Sequence, residues 1–182
     1  NYHQMPPFFM SIVSNSDLWM FLSSNGALTA GRTNPDHALF PYYTDDRIHD
    51  SHDVTGNKTI VFVRKSEKIY LWEPFSSNCH DVYQIDRNIY KNIMGNHVIF
   101  EETNQDLNVS FQYSWNNCDE YGFIKKSEIV NNNKEQVEIN VCDGLQNILP
   151  SGIDKNFQSE YSTLIDGYKK SELFPETNIG LY

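Results

Sequence analysis

The sequence predicts a mainly antiparallel all-β protein, a β-sandwich of about ten strands with one short helix near its C-terminus. Three observations predict it. Aromatic side chains make up 14% of the residues and β-branched residues recur in short runs, a composition that suits pleated, half-buried strands. Those runs are bounded by Asn, Asp, Gly and Ser, the residues that turn a chain. No repeat, low-complexity tract or Pro/Gly/Ser linker interrupts the series, so residues 1–182 read as a single domain.

The elements follow in order. "FFMSIVS" and "LWMFLSS" flank "NSD", and a tight turn at Asn25-Gly26 leads into a further strand. "KTIVFV" and "KIYLWEPF" flank "RKSE", and "HVIFEE" and "LNVSFQYSW" flank "TNQD". Each gap holds three or four polar residues, the usual content of a hairpin loop. "YGFIKKSEIVNNNKEQVEINVCDG" reads as the clearest hairpin, with Asn131, Asn132 and Asn133 suited to left-handed turn geometry. In its second strand Val137, Ile139 and Val141 alternate with Gln136, Glu138 and Asn140, the pattern of a half-buried antiparallel strand. The helix candidate is "NFQSEYSTLIDGYKKSELF", where Phe157, Tyr161, Leu164, Ile165 and Tyr168 recur at helical spacing and Lys169 and Lys170 lie near the end.

Charge and cysteine content exclude several functions. Fourteen Lys and Arg against 24 Asp and Glu give a net charge of -10, which repels nucleic acid and anionic membranes alike. The longest apolar run, "PPFFMSIV", is far shorter than the roughly 20 residues that span a bilayer. Neither nucleic acid nor a membrane is therefore an expected partner. Cys79, Cys118 and Cys142 form no CxxC pair and are odd in number, so neither a zinc knuckle nor a disulfide framework is expected. No phosphate-binding glycine loop, GxSxG or HExxH occurs, and no cofactor is expected. The start at Asn1, without Met or a signal-peptide pattern, reads as a piece of a longer, cytoplasmic rather than secreted protein. The sequons at Asn57 and Asn108 matter only for a secreted chain.

"FPYYTDDRIHDSHD", residues 40–53, concentrates the chemistry-bearing side chains. His49 and His52 are three apart, as are Asp50 and Asp53, so only a helical turn or an irregular loop brings either pair to one side. Imidazole with carboxylate suits a divalent ion, but no second ligand cluster occurs, and solvated turn formers explain the residues better than a metal site does. Adjacent Asp45 and Asp46 point apart in an extended chain and make a poor acid/base pair. Tyr42 and Tyr43, with Asp45, Asp46 and Arg47, combine flat apolar surface with hydrogen-bonding groups, the mixture that holds a hydroxyl-rich ligand. Trp115, closing a strand before "NNCDE", is a further candidate for a sugar-binding rim, whereas Trp19 and Trp72 sit in apolar runs and read as core. A His-based enzyme would draw on His37, His49 or His52.

Two phrases carry a family resemblance. "GFIKKSEIVNNNKEQVEINVCDGL", residues 122–145, resembles the N-terminal β-sandwich of large carbohydrate-active enzymes, and "SSNGALTAGRTNPDHALFPYYTDDRIHD", residues 23–50, is similar to the early part of cellobiose-phosphorylase-type proteins. The resemblance implies a galactose-mutarotase-like supersandwich standing before an (α/α)6-barrel catalytic domain, with the catalytic acid in the barrel. The chain would then be a non-catalytic accessory module of a glycoside phosphorylase or glycoside hydrolase, with an oligosaccharide and the catalytic domain of its own parent chain as partners. A free-standing carbohydrate-binding module and a His/Asp-based mutarotase-like or metal-dependent enzyme are the alternatives.

Overall fold

Alternating burial organises the chain into three antiparallel sheets around one core. The computed structural model describes residues 2–65, 67–79, 81–168, 172–177 and 179–181. Strands β1 (Phe9–Ile12), β2 (Leu18–Ser23) and β3 (Leu28–Arg32) form the first sheet. Strands β4 (Gly56–Lys65) and β5 (Lys68–Trp72) belong to the second, and β6 (Ile85–Lys91), β7 (His97–Asn104), β8 (Val109–Cys118) and β9 (Gly122–Asn131) make the third, in sequence order. Strand β10 (Glu138–Gln146) returns to the second sheet, helix α1 (Lys155–Tyr168) follows, and β11 (Glu172–Phe174) pairs with β12 (Ile179–Leu181). The chain is thus the expected mainly β, sandwich-like protein with one helix near the C-terminus.

Each sheet turns one face inward. Met20 and Leu22 from β2, Val61 and Val63 from β4, Val98 and Phe100 from β7, and Val109, Phe111 and Tyr113 from β8 all enter one cluster. Phe100 and Tyr113 stack with centroids 4.9 Å apart, and Phe75 meets the Tyr113 ring edge-on at 5.2 Å. Inside this apolar mass lies Glu102, fully buried. Its carboxylate accepts from the Trp72 indole N–H (2.8 Å), the Phe75 amide (2.7 Å) and Arg87 Nε (2.6 Å), so its charge is both paired and hydrogen-bonded. The Phe75 amide is presented by a left-handed backbone, φ 65°, an unusual state for a bulky residue that this bond helps to hold.

Three local expectations change. Strand β9 pairs with β8, while β10 pairs with β4, so the segment expected as the clearest hairpin crosses from one sheet to another. Asn131, Asn132 and Asn133 have no positive φ; they serve instead as hydrogen-bonding spacers, with Asn133 Nδ2 donating to the carbonyls of Leu107 and Asn108. The helix ends at Tyr168, since Glu172–Phe174 is a strand, and Lys169 and Lys170 lie outside the described residues. Trp19 is not in the central core: Leu18, Met20 and Leu22 take the inner face of β2, which sends Trp19 outward to meet Phe21 and Tyr42, each 5.9 Å away. Strand β6 had no sequence signature, because it is an edge strand whose Asp86, Arg87 and Asn88 break any apolar alternation.

Candidate functional site

The segment 40–53 is held by its two ends. Phe40 is fully buried, and a single 3₁₀ turn at Ile48–Ser51 buries Ile48 and Ser51 beneath the first sheet. Between these anchors the expected rim residues diverge. The Tyr42 amide donates to Gln158 Oε1 at 3.1 Å, and the Lys155 ammonium sits 5.3 Å from the Tyr42 ring centroid, so α1 lies over this side chain. Tyr43 turns the other way, its hydroxyl 3.3 Å from Thr55 Oγ1, and lines a shallow hollow of about 340 Å³ with Arg47, Asp50, Ser51 and Val54. Asp45 and Asp46 are exposed, and a hydrogen bond from Thr44 holds the Asp46 carboxyl below the usual range. Trp115 corrects the expectation of a rim position: it is 2% exposed, because β8 sends every second residue from Val109 to Trp115 into the core.

The two histidines of the stretch also part company. His49 Nδ1 is 2.7 Å from Ser23 Oγ and its carbonyl accepts from Asn25 Nδ2, pinning the β2–β3 turn. His52 leaves the 3₁₀ turn with extended backbone and donates from Nε2 to the Phe75 carbonyl at 2.9 Å. Asp53, in the left-handed region at φ 62°, accepts from both the amide and the hydroxyl of Ser77. Burial pushes the Asp53 carboxyl up, but the Ser77 bonds, together with His52 and Ser76 beside them, leave the group below the usual carboxylate range. These bonds clamp the loop of residues 52–56 onto the loop of residues 73–77. Among the described residues no group of three His, Cys, Asp or Glu side chains is placed to hold a metal ion.

A larger concavity opens beside this segment. A groove of about 710 Å³ is bounded by Asp17 and Arg32 at the ends of β2 and β3, by the Pro35–His37 turn, by the β8–β9 turn and by Leu149–Asp154. Arg32 and Asp17 form an ion pair at 3.5 Å on one wall. Asn34 caps the 3₁₀ turn through the Asp36 amide (3.0 Å) and meets His37 Nδ1 at 2.9 Å, which fixes that imidazole at the rim. Tyr121, 74% exposed, lines the groove next to Gly122, whose φ of 80° makes the hairpin turn that projects it, and a Cβ on Gly122 would lie 3.4 Å from Arg32 Nη2. The groove therefore offers an aromatic plane, a guanidinium, an imidazole and the carboxylates of Asp17, Asp36 and Asp154. Sequence reasoning did not find it, since its walls come from four separate segments; the one local signal is an aromatic residue before a turn glycine in "DEYG".

No protein-family model matches the chain, and no curated protein does. Among the described residues no helix is long and apolar enough to cross a membrane.

Proposed function

We propose that the chain is a non-catalytic β-sandwich module of a glycoside-phosphorylase- or glycoside-hydrolase-like protein, which packs against an (α/α)6 catalytic domain and lends one wall to a sugar site. The observation that carries this reading is the groove lined by Arg32 and Tyr121. Its volume falls in the range of small-molecule sites, and it pairs an exposed aromatic face with charged groups that accept and donate to hydroxyls. The packing half of the proposal draws on α1, which is kinked at Tyr161 and leaves Phe157, Tyr161 and Leu164 38%, 51% and 48% exposed while Ile165 is buried. A helical neighbour would cover these three side chains.

Isothermal calorimetry of the chain against cellobiose and laminaribiose tests the sugar site. The expected result is heat of binding that Tyr121→Ala weakens roughly tenfold with the fold intact, from the lost stacking surface. Sub-millimolar affinity for the chain alone would favour a free-standing binding module. No heat with either sugar, together with no change in Tyr121 resonances, would overturn the sugar site.

A further inference from the structure

Each of the three main sheets ends in two edge strands, and natural edges are normally guarded against pairing by short length, Lys, Arg or Pro. Strand β1 has four residues and follows Pro6-Pro7; β3 is short and bridged by Ala38; β5 has five residues including Lys68. Strand β6 carries Arg87 and Lys91, and β9 carries Lys125 and Lys126. Strand β10 is different: nine residues, "EINVCDGLQ", without Lys, Arg or Pro, bonded to β4 on one side only among the described strands. Val141 shows how open this side is, for it pairs with fully buried Val61 and faces inward, yet is 47% exposed.

We propose that two copies of this chain pair through β10, antiparallel about a two-fold axis at Cys142. Cys142 is the midpoint of the strand, and a symmetric antiparallel pairing on it is self-complementary. Ile139 meets Leu145 of the second copy on the inner face, and Asn140 meets Gly144, where open space surrounds the missing side chain. Glu138 meets Gln146, and Val141 meets Asp143, so no two like charges stand opposite each other. The two carboxylates of the strand are already answered within each copy, Glu138 by Arg64 at 3.2 Å and Asp143 by Lys125 at 2.7 Å, which leaves this edge nearly neutral in a chain of charge -10. Charge therefore does not oppose self-pairing along this edge, and of the unguarded edges it is the long one. The union makes a six-stranded sheet β5-β4-β10 continued by β10-β4-β5 of the second copy. Cys142 opposes its own equivalent on the outer face, at a separation that suits a disulfide.

The test is light scattering of the chain in reducing buffer from micromolar concentration upward, with crosslinking of a Cys79→Ser/Cys118→Ser variant by diamide. Expected are a mass twice the 21.2 kDa of one chain and a rapid Cys142–Cys142 crosslink, in which two thiols give up two protons and two electrons to the diazene. Cys142→Lys, at an exposed position, is expected to keep the far-UV circular dichroism and lose the doubled mass. A single-chain mass throughout overturns the proposal, and so does a doubled mass that Cys142→Lys leaves unchanged.

Discussion

Glu102 concentrates the largest single-residue leverage in the molecule. Its carboxylate joins β5, the following loop and β6, and its side chain is 2% exposed against 15% for its partner Arg87. Glu102→Ala takes the acceptor from Arg87 Nε and from two buried N–H groups, and is expected to cost about 3–5 kcal/mol, read as a lower urea midpoint from tryptophan fluorescence. Besides exposed Asp46, three partly buried carboxylates are held below their ordinary range. Glu73 is held low first by its bond from Lys58; in Asp53 and Asp143 burial works upward, but hydrogen bonds from Ser77, and from Lys125 and Thr59, prevail. A carboxyl with a depressed folded pKa gives stability that is present above its unfolded value, near 4, and lost as pH falls through the folded one. Unfolding midpoints measured at neutral and strongly acid pH are therefore expected to fall toward acid, with Asp143→Asn flattening part of the slope. An Asp143→Asn chain that keeps the full slope would remove this pair from the account.

At the scale of the element, the crossing of β3 over the Pro35–His37 turn turns on one missing side chain. A Cβ on Gly31 would lie 2.5 Å from the His37 carbonyl oxygen and 2.6 Å from Trp19 Cζ2. Gly31→Ala is expected to destabilise by about 1–3 kcal/mol and to alter the near-UV circular dichroism of Trp19, since backbone has to move. An unchanged spectrum and midpoint would show the crossing to be loose. The same scale decides what was legible in the sequence. Hairpins such as β7–β8 carry both partners and the turn in one stretch, so local pattern suffices. For β10 it does not: Ile139 and Val141 fit any apolar face, and the choice of β4 over adjacent β9 depends on the shape of a core assembled elsewhere. The groove beside Arg32 and Tyr121 was not legible at all, and the loop of residues 40–53 only in its individual side chains. Tyr42 and Tyr43 were found as aromatics beside acids, but that α1 covers one and Thr55 holds the other follows from contacts across 116 and 12 residues.

For the whole molecule, three small sheets share one core, so each supplies a face that the others need. Because their inner faces bury one another in a single cluster, equilibrium unfolding is expected as one transition, with fluorescence and far-UV circular dichroism coincident; a separate early transition would assign independent stability to one sheet. The return of β10 to β4 has a consequence in time. Lys65 and Glu138 are 73 positions apart, with the entire four-stranded sheet encoded between them. At roughly 5–20 residues per second of synthesis, β4 waits about 4–15 s for its second partner. Through that interval the run from Ile60 to Val63 has one bare flank, while β6 to β9 emerge and can close on themselves. The order of translation thus makes the central strand of the second sheet the last to be sealed, and the nascent chain's window for chaperone capture or mispairing opens at β4.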